Sequence, residues 1–82
     1  MLHGIRWRKT GEFDFQPADR KRRMERVFIQ TGQLVIGQAR CHVNEQLVEV
    51  ADIAVDEGIL KDVPCLYFQF LDADYEEGEE GV

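Results

Sequence analysis

The sequence predicts a small all-β domain: a bent β-meander closing into a barrel, preceded by an N-terminal hairpin and a short basic helical turn. Three observations carry this reading. Apolar and polar residues alternate at a period of two through most of the chain, the signature of half-buried strands. Glycines and one Asn-Glu pair interrupt the alternation at short intervals, as turns of a meander do. The final "DADYEEGEEGV" has six acids in eleven residues and cannot bury itself, so it reads as a disordered acidic tail. The expected organisation is one β domain over residues 1–71 and the tail over 72–82.

Taken in order, "HGIRWR" places Ile5 and Trp7 on one face, and "EFDFQ" places Phe13 and Phe15 on one face. "KTG" between them reads as a turn, so the two segments are expected to pair as a hairpin. In "PADRKRRM", Pro17 suits the first position of a helix and Asp19 its first turn, which predicts a short helical turn. "RVFIQ" and "QLVIGQARCHV" flank Thr31-Gly32, a connection that closes a hairpin if the turn is lengthened or bulged, because Thr31 resists positive φ. Within the second segment the expected inward set is Leu34 and Ile36, then Ala39, Cys41 and Val43. The parity changes at Gly37, which predicts a bulge or bend there. Asn44-Glu45 is expected as a tight turn. "QLVEVADIAV" supplies the next strand, with Val48 and Val50 inward and a parity change near Asp52. "DEGILKDVP" reads as a loop, and "CLYFQFL" as the last strand, with Leu66, Phe68 and Phe70 on one face and Tyr67 and Leu71 on its apolar reverse.

At 82 residues the chain is one small domain, and 44% hydrophobic with 32% charged residues is the balance of a globular protein. Such a domain buries only about 60–65% of its unfolded surface, so oligomerisation or docking on a partner is a natural source of further stability. No apolar run approaches a membrane span, and "MLHGIRWRKTG" lacks the apolar core of a secretory signal. No membrane partner and a cytoplasmic location are therefore expected. Cys41 and Cys65 lie in apolar segments and read as buried free thiols. No C-x-x-C or H-x-x-x-H spacing suggests a metal site, and no cofactor motif is present.

The sequence contains no serine, which excludes a serine nucleophile. Cys41 and His42 are adjacent, so on a strand their side chains point to opposite faces and cannot act as a pair. Asp14, Asp52, Asp56 and Glu57 are candidate carboxylates for a shared site, with a solvated rim as the plainer reading. No catalytic residue is assigned, and no enzyme activity is expected.

The sharpest feature is "RKRRMER", with Arg20, Lys21, Arg22, Arg23 and Arg26 packed into seven positions. Alone, such a run suits phosphate contacts, and Trp7, Phe13 or Tyr67 would supply stacking surfaces. Yet residues 1–42 hold nine basic and four acidic side chains, a balance of +5, while residues 43–82 hold one and twelve, a balance of −11. The run therefore faces an excess of acid on its own chain, which competes with phosphate; a solvated basic face is the plainest reading, with pairing within or between chains ahead of nucleic acid.

"GQLVIG", Gly32 to Gly37, resembles the G-x-x-x-x-G of the Sm and Hfq-type families. A bent meander of this length closes most simply into an SH3-like or Sm-like barrel, which the resemblance supports, and the resemblance implies assembly into a ring that binds RNA. The family's RNA-contacting Asp and Asn correspond here to Val43 and Leu47, and the second Sm motif is absent. Gly32 and Gly37 are accordingly structural candidates, while the basic run and Tyr67 are candidates for partner or nucleic-acid contact. The expected function is a small non-enzymatic protein-interaction module that self-associates. The alternatives are an RNA- or DNA-binding Sm-like ring using residues 20–26, and an inhibitor whose acidic tail mimics nucleic acid.

Overall fold

In the computed structural model, residues 2–71 are described. They form seven strands: β1 (His3–Trp7), β2 (Gly11–Pro17), β3 (Glu25–Ile29), β4 (Leu34–Val43), β5 (Glu49–Val55), β6 (Gly58–Pro64) and β7 (Phe68–Phe70). A single 3-10 turn, Cys65–Tyr67, leads into β7. Every ladder is antiparallel, and the strand order is β3-β2-β6-β5-β4-β1-β7. The sheet ends at β3 on one side and β7 on the other, so it is open and not a closed barrel. The expected acidic tail lies outside the described residues.

The core gathers the inward residues of nearly every strand: Ile5 and Trp7 of β1, Phe13 of β2, Ile29 of β3, Ile53 of β5, Leu60 and Val63 of β6, and Phe68 of β7. Trp7 stands edge-on to Phe13 at 5.6 Å and lies 5.8 Å from Phe68. Aromatic pairs in these tilted and edge-to-face arrangements add to the stabilisation from area burial alone.

The N-terminal hairpin does not form. β1 pairs with β4 and β7, and β2 pairs with β3 and β6. The backbone around the expected turn is engaged elsewhere. The amides of Arg8 and Lys9 both donate to the Tyr67 carbonyl, and the Trp7 amide donates to the Gln33 carbonyl. Alternation identified both strands, but it carries no information on which strand lies alongside.

The basic helical turn is likewise replaced. Pro17 is the last residue of β2, paired with Gly58, and not a helix start. Beyond it the Arg22 amide donates to the Asp19 carbonyl and the Lys21 amide to the Asp19 side chain, an Asx-type turn. Asp19 thus caps a local turn, the alternative that short polar side chains offer to a helix.

β3 and β4 are joined by a tight turn but do not pair. The Gln33 amide donates to the Gln30 carbonyl, and Gly32, at the second central position, has φ of 90°. Positive φ at that position marks a type II turn, which splays the strands it connects instead of closing a hairpin.

β4 is the long strand shared between two ladders. Residues up to Gly37 pair with β1, and from Gln38 onward they pair with β5. The expected parity change at Gly37 is absent. Val35, Gly37 and Ala39 share the inward face, whereas Leu34 and Ile36 are exposed. Cys41 and Val43, expected inward, are also exposed. Gly37 is needed for a different reason: a Cβ there would lie 2.6 Å from the Ala54 carbonyl oxygen. The absent side chain is what lets β5 approach where the strand exchanges partners.

The irregularity lies instead between β5 and β6. Ala51 pairs with Val63, but Ile53 pairs with Leu60, so β6 carries the extra residue. Asp62 sits in that bulge with φ of 53°. Within β5, Val50, Ala51 and Ile53 are all buried, whereas Val48, expected inward, is exposed, and β6 occupies the segment expected as a loop. Its two inward residues, Leu60 and Val63, are three apart, which hides the strand from a period-of-two reading. In the last segment, Cys65–Tyr67 forms the 3-10 turn, and Leu66 is exposed instead of sharing a face with buried Phe68.

Candidate functional site

Splaying β3 from β4 opens a groove of about 470 Å³ between them. Val27 and Ile29 of β3, Val35 of β4 and Leu60 of β6 line it, with Phe28, Leu34 and Ile36 around them. Those last three are more than half exposed, although they are large and apolar. At its other end the groove meets the β5–β6 turn, where Asp56 and Glu57 join Glu25 as carboxylate lining. Among the described residues β3 forms a ladder only with β2, so its other edge is unpaired, and Glu25, Val27, Phe28 and Ile29 of this strand line the groove.

The basic run lies just before β3. Arg20, Lys21, Arg22 and Arg23 are exposed in the 18–24 connection. Arg22 pairs with Glu25. Arg26, on β3, pairs at 2.9 Å with Asp14, which stands directly opposite on β2. Among the described residues, Arg20, Lys21 and Arg23 make no ion pair with an acid. The structure brings Arg26 and Tyr67 to one hollow of about 300 Å³, together with Asp14, Lys61 and Asp62, and leaves Arg20–Arg23 outside it.

Tyr67 is half-buried. It stands edge-on to Phe13 at 5.6 Å, and the Lys9 ammonium sits 5.6 Å from its ring centre. Gly32 and Gly37 act in the turn and at the strand exchange described above.

The candidate carboxylates do not converge on one site. Asp14 pairs with Arg26, Asp56 and Glu57 line the β3–β4 groove, and Asp52 lies in a third place. There Asp52 accepts the Asp62 amide at 3.0 Å and faces the Lys61 ammonium at 3.4 Å. His42 lies 3.5 Å from Asp62, and the donor atoms of His42, Asp52 and Asp62 fall within 4.8 Å of one another. Lys61 supplies a cation to this cluster from the protein itself. Sequence spacing did not show the cluster, because His42 and Asp62 meet only through two ladders and a bulge.

Cys41 is exposed and Cys65 half-buried, and both thiols are free. Burial, then the neighbouring and hydrogen-bonded Cys41, then Glu49, push the Cys65 thiol up to about 11. A thiol held protonated in this way is a poor nucleophile.

The groove is what sequence reasoning missed. In "LVI" three apolar residues stand in a row, so alternation alone cannot choose the inward one. Among the described residues no helix is long and apolar enough to cross a membrane. Comparison with protein-family models, curated proteins and solved structures finds no match to this chain.

Proposed function

We propose that this chain is a non-enzymatic protein-interaction module that works through the open edges of its sheet, with self-association as its first candidate contact. The observation carrying this reading is the unpaired edge of β3 beside three exposed apolar side chains, Phe28, Leu34 and Ile36. Open edges and exposed apolar patches are surfaces that associate unless something covers them. Two free thiols fit a cytoplasmic setting, where disulfides are rare. Sedimentation equilibrium tests self-association directly. A mass that rises above 9.5 kDa with concentration supports it, and a strict monomer up to about 1 mM overturns it.

A second reading, contact with nucleic acid, draws on Arg20, Lys21 and Arg23, whose exposed charges pair with no acid among the described residues. It requires RNA affinity that falls steeply with salt and depends on those three residues. The acidic-mimic reading rests on residues 72–82, outside the described residues.

A further inference from the structure

We propose that the groove between β3 and β4 is the seat for an extended cationic strand of a partner protein, one that alternates apolar with Lys or Arg side chains. The inference rests on the interaction-module reading and names its surface and its ligand chemistry.

The backbone supplies the first reason. β3 is an edge strand of five residues, Glu25–Ile29, paired only with β2. Along a strand, alternate residues direct their N–H and C=O groups to opposite sides, so part of the β3 set faces the groove. A peptide in extended conformation rises about 3.3 Å per residue and meets such an edge group for group. The type II turn at Gly32 holds β3 and β4 apart at one end, leaving space for that added strand.

Side chains supply the second. One face of an inserted strand would meet Val27, Val35 and Leu60, an apolar floor. Its other face would lie near Phe28, Leu34 and Ile36, whose apolar surface is otherwise left to water. A segment with apolar residues at alternate positions fits this floor.

Charge decides the rest of the composition. Among the described residues the groove is lined by Glu25, Asp56 and Glu57 and by no lysine or arginine. Glu25 is already paired with Arg22, but Asp56 and Glu57 have no cationic partner among the described residues. A cationic strand is therefore attracted and a phosphate backbone repelled. By the same repulsion an acidic strand is a poor occupant.

The test uses the full chain and two labelled peptides of about ten residues, one alternating valine with lysine and one alternating valine with glutamate. Fluorescence anisotropy should show saturable binding of the lysine peptide, with amide shifts concentrated in residues 25–29 and 34–36. The double variant Asp56→Asn/Glu57→Gln should bind it roughly two- to tenfold more weakly, with unchanged Trp7 emission and melting temperature. Equal binding of the glutamate peptide, or shifts centred on β7, would overturn the assignment. Absence of binding at about 1 mM peptide also overturns it. In that last case, a mass that still rises with concentration would leave the interaction-module reading standing, and only the groove assignment would fall.

Discussion

Gly37 shows how a residue can be identified correctly for a reason that does not hold. Its place in an apolar run marks it as special, and alternation alone predicts a parity slip there. The cause is contact: Val35 and Ala39 flank it on the inward face, and the Ala54 carbonyl of β5 fills the space a side chain would need. Gly37→Ala is expected to destabilise the domain by about 1–3 kcal/mol, because β5 must move or the core must shift to admit the methyl. Urea denaturation followed by emission of Trp7, the only tryptophan and a fully buried one, measures this directly. An unchanged midpoint would show that β4 and β5 do not approach so closely. Cys65 gives a second expectation. Its folded pKa is raised from 9.0 to about 11, so its contribution to stability is complete below about pH 9 and is lost as pH rises through 11. The urea midpoint should fall across that window, and Cys65→Ala should flatten the fall. Equal slopes in the two proteins would mean that this thiol is not held protonated by its surroundings.

At the scale of elements, strand existence was legible and strand pairing was not. Ile5 with Trp7, and Phe13 with Phe15, announce two strands, and both form. Nothing local indicates that the backbone around Arg8 hydrogen-bonds to Tyr67, 59 residues away along the chain, instead of turning β1 back onto β2. β6 escaped because its bulge at Asp62 breaks the alternation, and an irregular strand cannot be distinguished from a loop by period alone. The candidate site suffered in the same way. The basic run is plain in the sequence, but the groove depends on β3 and β4 being splayed, which the Thr31-Gly32 turn decides through the φ of one glycine. β3 carries its own expectation. Phe28 is 59% exposed and stands opposite Glu12, so Phe28→Lys places a charge on the edge strand without opening the core. Stability should change by no more than about 0.5 kcal/mol, while self-association measured by sedimentation should weaken. Undiminished association would move the contact away from β3.

For the whole molecule, the division of charge matters more than its total. Two arginines of the basic run are already paired within the domain, Arg22 with Glu25 and Arg26 with Asp14. Arg20, Lys21 and Arg23 pair with no acid among the described residues. Removing residues 72–82 deletes six acids and takes the formal charge from −6 to zero. If those acids shield the run, nucleic-acid affinity at about 50 mM salt should rise on truncation and fall steeply as salt increases. No gain on truncation would mean that the run is simply a solvated surface.

The open edge of β3 underlies both the proposed function and the ligand chemistry inferred for the groove, and amide hydrogen exchange observes it residue by residue. At about 20 μM, where a weak oligomer dissociates, alternate amides among residues 25–29 should exchange rapidly while those of Val50, Ala51 and Ile53 in β5 remain protected. At about 1 mM the exposed β3 amides should gain protection as a neighbouring strand covers them. Amides of β3 that are as protected as those of β5 at every concentration would contradict an open edge, and amides that stay unprotected at the higher concentration would contradict its use in self-association.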